Sequence, residues 1–239
     1  MNEERLALLL LPGMDGTGKL FSDFVTMLPG WIEPQLVGYP RDQKLSYEEL
    51  VPILKSVIPS DRPFVVLAES FSTPLAVRFA AEKPKNLRGL VLCAGFSRPP
   101  SRGILSRIAV ALGPICFSFG LPKYVCRHFL VGDDAPTALV DKVCEIVSSV
   151  PAGVLAHRLR SVMTCDVDRE LLTISIPMLC IAGIEDRLLH ISSIEKLKQM
   201  KPDVPLARIH APHLILQAKP HEATDVVVPF LRKILNELA

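Results

Sequence analysis

Six short apolar runs, each leading into a turn, set the limits on what this chain can fold into. Leu6–Leu11, Ile32–Gly38, Pro63–Ala68, Leu87–Ala94, Pro177–Ala182 and Pro205–His210 read as strands. Between and after them lie stretches that read as helices: Gly18–Leu28, a segment opened by Ser46, Ser70–Glu82, a segment from Ser192 to Met200, and the amphipathic Glu222–Leu238. Ser46 with Glu49, and Ser192 with Glu195, have the spacing of a capping box, in which a hydroxyl and a carboxylate satisfy free amides at a helix start. Strands alternating with helices require a parallel sheet joined by crossovers. The strand runs are continuously apolar, as they must be when both faces of the sheet are covered. Ligands of such sheets bind outside the carboxyl ends of the strands. The residues that follow each apolar run are therefore the ones to read for function.

The alternation stops between Ser97 and Asp168. That stretch contains Pro99, Pro100, Pro114, Pro122, Pro136 and Pro151 with helical pieces between them. It reads as an all-helical insertion at 97–168 in a core formed by 1–96 and 169–239. Ile104–Leu121 is almost wholly apolar and long enough to span a bilayer. Arg107 lies within it and Pro114 breaks it, so short apolar helices are expected there instead. The start, Met1-Asn2-Glu3-Glu4, is acidic where a secretory signal is basic. The cysteines, Cys93, Cys116, Cys126, Cys144, Cys165 and Cys180, form no C-x-x-C, and there is no N-x-S/T acceptor. These features favour a reducing, cytoplasmic setting. A formal net charge of +2 gives no basic surface for phosphates, which argues against nucleic acid as a partner. No cluster of His and Cys suggests a metal, and no cofactor is called for.

Four strand ends carry candidate chemistry. After Pro63–Ala68 comes Ala68-Glu69-Ser70-Phe71-Ser72, a strand, a sharp turn and a helix with Ser70 at the apex. A nucleophile elbow needs small residues two before and two after the serine, where strand and helix approach closely. Ala68 and Ser72 are small, although the G-x-S-x-G pattern has glycine at both positions. The same residues also fit an ordinary strand–helix turn with Ser70 as helix cap. After Pro177–Ala182 come Glu185 and Asp186, either of which could orient an imidazole or simply cap the next helix. After the last strand comes His213, with His210 and His221 as rivals for the role of general base. After the first strand comes Gly13-Met14-Asp15-Gly16-Thr17-Gly18, whose small residues leave backbone amides free to face an oxyanion. The order Ser, acid, His along the chain, with all four sites at one edge of one sheet, is that of an acyl-transfer enzyme.

With these motifs the chain resembles the α/β-hydrolase family over nearly its whole length. PGMDGTG is similar to the loop that carries the family's oxyanion hole, AESFS to its elbow, and GIEDRL and APHLILQAKP to its acid and histidine loops. The resemblance implies a mostly parallel sheet of about six strands flanked by helices. It implies Asp186 rather than Glu185 as the acid, and His213 rather than His210 or His221 as the base. It implies Met14 and Phe71 as oxyanion donors and the 97–168 insertion as a helical cap. Small carboxylesterases, including those acting on pimeloyl-carrier-protein methyl esters, are the relatives it resembles most.

The expected activity is hydrolysis of carboxylic esters of short-to-medium acyl chains by Ser70, His213 and Asp186. A serine at this position weighs against an aspartate-nucleophile dehalogenase or epoxide hydrolase, and leaves thioesterase and C–C hydrolase as alternatives. The cap residues Ile104, Leu105, Ile108, Leu112, Ile115, Phe117, Phe119 and Phe129 would line an acyl or aryl pocket, or form the cap's own core. Asp15 and Lys19 stand near enough to the oxyanion loop to touch substrate, or else belong to a solvated helix start. Arg107, Arg158 and Arg160 could face an acidic acyl carrier protein. A different class is a nucleotide binder, because Gly13–Lys19 fits G-x-x-x-x-G-K, but Leu20 follows where a P-loop needs a hydroxyl for magnesium. A third is a non-catalytic scaffold of the same fold.

Overall fold

A computed structural model of the chain describes residues 5–100, 115 and 117–237. Its centre is a six-stranded sheet in the order β2-β1-β3-β4-β5-β6. The strands are β1 (Leu6–Leu11), β2 (Ile32–Leu36), β3 (Phe64–Glu69), β4 (Leu87–Cys93), β5 (Met178–Gly183) and β6 (Leu206–Ile209), and every neighbouring pair is parallel. Each expected strand is present: β1 has the bounds expected, and the others differ by no more than two residues at either end.

The unbroken apolarity of the strands follows from burial on two sides. In β1, Ala7, Leu9 and Leu11 join one apolar core, while Leu6, Leu8 and Leu10 join the other. In β3, Phe64, Val66 and Ala68 face the first core and Val65 and Leu67 the second. Side chains alternate between faces along a strand, so two covered faces demand two interleaved apolar sets. The edge strand β2 carries Pro34, a residue tolerated at a sheet edge.

Helices cover the faces. On one lie α2 (Tyr47–Val57) and α3 (Ser72–Ala81); on the other lie α1 (Ser22–Thr26) and the terminal helix. The capping box of α2 forms as its spacing requires: Glu49 N–H donates to Ser46 Oγ at 3.3 Å and Ser46 N–H to Glu49 Oε2 at 2.8 Å. Between β4 and β5 the described residues contain a π-helical turn at Cys126–Val131, then α4 (Thr137–Ser148), α5 (Ala152–Thr164) and α6 (Asp168–Thr173), with no strand among them. Pro136 and Pro151 stand at the N-caps of α4 and α5. After β5 comes α7 (Ser192–Met200). Its N-cap is Ile191, so Ser192 lies inside the helix and the expected second capping box does not form. The His190 imidazole takes over, with Nδ1 accepting from Ser192 N–H at 3.3 Å. After β6 follow a short α8 (Ile215–Ala218), absent from the sequence reading, and α9 (Pro220–Asn236). Helix α9 buries Ala223, Val227, Leu231 and Ile234, spaced as one helical stripe.

Topology places the site. The chain enters at β1, moves outward to β2, then crosses back to β3 on the other side of β1. The turns after β1 and β3 therefore diverge to opposite faces and leave a crevice at their carboxyl ends. The expected oxyanion loop and the Ser70 turn flank that crevice.

Candidate active site

Ser70 occupies the turn between β3 and α3 with φ of 49°, a left-handed conformation costly for a residue with a side chain. The turn is held on both sides. Ser70 N–H donates to the Cys93 carbonyl at the end of β4 at 2.9 Å, and the Ser70 carbonyl accepts from Thr73 N–H and Oγ1 at 2.9 and 2.8 Å. Ser70 is not the helix cap; Phe71 is. The ring of Phe71 packs on Tyr47 with centroids 4.9 Å apart, and Tyr47 Oη donates to the Phe71 carbonyl at 2.8 Å.

The two departures from glycine have different reasons. Ala68 is fully buried in the core, where a methyl group fits. Ser72 is fully buried as well, but its hydroxyl is engaged: it donates to the Pro12 carbonyl and is hydrogen bonded to Tyr39 Oη at 2.5 Å. The serine ties the start of α3 to the loop after β1, which glycine could not do.

His213 lies 3% exposed in the loop between β6 and α8. Its Nε2 is 2.8 Å from Ser70 Oγ and its Nδ1 is 2.7 Å from Asp186 Oδ2. The other Asp186 oxygen, Oδ1, accepts from Leu188 N–H at 2.8 Å and Leu189 N–H at 2.7 Å, which fixes the carboxylate plane. Ser70, His213 and Asp186 are thus joined in one chain of hydrogen bonds. The rivals are elsewhere. Glu185 and His210 are exposed and face each other at 3.8 Å, and His221 is exposed at the start of α9. The His213 loop passes close to the end of β5: a Cβ on Gly183 would stand 2.6 Å from the Pro212 carbonyl oxygen, so only glycine fits there.

The loop after β1 makes a turn closed by Gly16 N–H donating to the Gly13 carbonyl at 3.0 Å. Asp15 is buried rather than solvated. Its Oδ1 accepts from Thr17 N–H and Oγ1 at 2.9 and 2.5 Å. Burial pushes its carboxyl above the usual range, with the Thr17 hydrogen bonds and Arg158 opposing. Lys19 is exposed. Leu20 packs into an apolar cluster with Val131, Val140 and Leu214 and offers no oxygen to a metal. Neither Met14 N–H nor Phe71 N–H donates to a protein acceptor among the described residues.

The role of Glu69 gave no signal in the sequence, and Arg158 has a different place from the one read for it. Glu69, just before Ser70, is buried beside Gln217, whose Nε2 donates to Glu69 Oε2 at 3.2 Å. Burial, reinforced by Asp15, pushes its carboxyl up to about 8. Arg158 was read as a surface residue able to meet a carrier protein; it is 2% exposed and its guanidinium is spent on the backbone carbonyls of Met14, Asp15 and Pro40. Arg160 is exposed, and Arg107 lies outside the described residues. Of the apolar residues expected to line a pocket, Ile104, Leu105, Ile108 and Leu112 also lie outside them. Ile115, Phe119 and Phe129 are exposed, whereas Phe117 packs against the cluster of Val150, Val154 and Leu155, as does Met14. No helix among the described residues is long and apolar enough to cross a membrane, and among them no three His, Cys, Asp or Glu residues could hold a metal ion.

No protein-family model matches the chain, and no curated protein sequence does. Solved structures do. A carboxylesterase structure from Nitrososphaera gargenis superimposes with a TM-score of 0.81 at 15% identity, covering 99% of this chain and 93% of that one. An enol-lactonase from Burkholderia xenovorans LB400 does so with a TM-score of 0.80 at 15% identity, covering 95% and 92%. An alpha/beta hydrolase enzyme from a Medee basin deep-sea metagenome library gives 0.72 at 16% identity, covering 97% and 90%. Identities this low speak to architecture, and the architecture agrees with the parallel sheet described above: the chain has the α/β-hydrolase fold.

Proposed function

We propose that the chain is a serine hydrolase that cleaves carboxylic esters of short-to-medium acyl chains. The observation that carries this reading is the continuous hydrogen-bond chain from Ser70 Oγ through His213 to Asp186, at 2.8 and 2.7 Å. His213 Nε2 takes the hydroxyl proton as Ser70 Oγ attacks the ester carbonyl. Asp186, fixed by the Leu188 and Leu189 amides, holds the imidazole with Nδ1 protonated and stabilises the imidazolium. Met14 N–H and Phe71 N–H receive the negative charge that develops on the carbonyl oxygen. The tetrahedral intermediate collapses, the alcohol leaves with the proton from His213, and water enters by the same route to release the acid and restore Ser70.

In this reading residues 97–168 cap the site above a core of 1–96 and 169–239. The cluster of Val150, Val154, Leu155, Phe117 and Met14 gives the acyl group an apolar wall. Esterase and lactonase are activities named for proteins of this fold. A thioesterase or a C–C hydrolase would use the same three residues. No observation favours an acyl carrier protein as partner.

The test is a p-nitrophenyl ester series from acetate to palmitate, run on the wild type and Ser70→Ala. Rates should peak at short or medium chains and fall by at least about 10³-fold in the mutant. The route uses no metal, so EDTA should leave the rate unchanged. An active, pure Ser70→Ala protein would overturn the assignment. A folded wild type inert to every ester but active on acyl thioesters would redirect it to the alternative. A protein inert to both, whose Ser70 also ignores a fluorophosphonate probe, would be a scaffold.

A further inference from the structure

Helix α5 belongs to the insertion, yet one of its residues reaches under the loop after β1. Arg158 Nη1 donates to the carbonyls of Met14 at 2.9 Å and Asp15 at 2.8 Å, and Nη2 donates to the Pro40 carbonyl at 3.1 Å. The guanidinium lies 5.7 Å from the Tyr39 ring centroid, with the buried Asp15 as its charge partner. A buried guanidinium is costly unless its donors and its charge are satisfied. Here three carbonyls from two separate loops accept from three of its donors.

We infer that Arg158 is a positioning residue that sets the oxyanion site, by locking the peptide planes of the loop that carries Met14 N–H; this rests on the serine-hydrolase reading. Peptide units are planar, so anchoring a carbonyl also fixes the direction of the next N–H. Arg158 fixes the Met14–Asp15 and Asp15–Gly16 planes. The Gly16 to Gly13 hydrogen bond fixes the Gly13–Met14 plane and turns Met14 N–H away from that turn. On the opposite flank Tyr39 N–H donates to the Gly16 carbonyl at 2.8 Å, and Arg158 holds the neighbouring Pro40. Loss of the guanidinium leaves three carbonyls without their partner and the turn free to rotate. Val154 and Leu155, one turn earlier on α5, belong to the apolar cluster against which Met14 packs. The same helix therefore sets both the oxyanion donor and the apolar wall beside it. Lysine cannot substitute fully, because one ammonium cannot span the fork of three carbonyls.

Three variants test this on p-nitrophenyl butyrate: Arg158→Met, Arg158→Lys and Gly16→Ala. Gly16 has φ of 68°, and its Cβ would displace the guanidinium without removing the charge. Arg158→Met and Gly16→Ala should lower kcat by about 10²–10³-fold, the size of losing one oxyanion donor, with KM changed only a few-fold. Arg158→Lys should recover part of the loss. Hydrogen exchange at the amides of residues 14–17 should accelerate in Arg158→Met, a readout independent of catalysis. Unchanged kcat and unchanged exchange in folded variants would overturn the proposal. So would a rise in KM at constant kcat, which would make Arg158 a substrate-binding residue. Wild type lacking Ser70-dependent turnover, with exchange still accelerated in the variant, would keep the loop lock and discard the catalytic reading.

Discussion

Glu69 shows how much a single position beside the proposed nucleophile depends on its surroundings. It completes β3, where an apolar residue would be expected, and its carboxyl is buried between the first-strand loop and Gln217. An unfolded glutamate gives up its proton near 4.5, whereas the folded one keeps it to about 8. Between those values the folded chain binds more protons than the unfolded chain, so stability falls as pH rises through that window and is flat on either side of it. Glu69→Gln removes this contribution. The variant should exceed the wild type by on the order of 4 kcal/mol at pH 8, with the gap closing below 4.5, as read by urea unfolding across pH. A remaining downward slope belongs to Asp15, which burial shifts in the same direction. Ser72 offers a second check. Ser72→Ala leaves the Pro12 carbonyl and Tyr39 hydroxyl without their buried partner and should cost about 1–3 kcal/mol in thermal or urea unfolding. Ser70, Asp186 and His213 were legible in the sequence because each follows a strand. Glu69, Ser72, Tyr39 and Arg158 were not, because their partners lie on other elements.

At the scale of elements, the strands were readable and the loop contacts were not. Two-sided burial writes itself into sequence as an unbroken apolar run, so β1, β3, β4 and β5 could be placed within two residues. Helix starts were less secure. The Ser192–Glu195 spacing has the form of a capping box, but α7 begins one residue too early for it and His190 caps the helix instead. Helix α8 is four residues long and has no periodicity to read. The packing of β5 against the His213 loop is visible only in three dimensions, and Gly183 is where it can be tested. Gly183→Ala should push the 211–213 loop outward, lengthen the His213–Asp186 hydrogen bond and lower kcat more than tenfold. It should also cost about 1–3 kcal/mol of stability, as overpacking does. Unchanged kinetics and melting temperature would mean the loop yields without disturbing His213.

On the scale of the whole molecule, burial accounts for the reactivity expected of its thiols: Cys93, Cys165 and Cys180 lie in the cores on the two faces of the sheet, and Cys126 lies in a separate apolar cluster with Val131 and Val140. Burial pushes the thiols of Cys126, Cys165 and Cys180 up to about 12, and that of Cys93 well above its ordinary value. A thiol that does not ionise does not react as a nucleophile. Iodoacetamide at pH 8, followed by peptide mass spectrometry, should leave these four unmodified in the native protein, label the partly exposed Cys144, and label all of them in denaturant. Labelling of Cys93 or Cys180 in the native state would mean that the sheet opens at equilibrium. The sequence by itself determined the parallel sheet, the order of the strand ends and the residue types set there, because apolar periodicity and turn chemistry are local properties. Strand ends alone left two acids and three histidines open; the family resemblance singled out Asp186 and His213, and the tertiary structure brings those two into hydrogen-bond contact with Ser70. Only the tertiary structure decided that Arg158 and Asp15 are buried anchors rather than surface charges, and that a serine in place of glycine ties α3 to the first loop. Those outcomes depend on contacts between residues as far as 144 positions apart, and a contact at that range leaves no trace in either partner's neighbouring sequence.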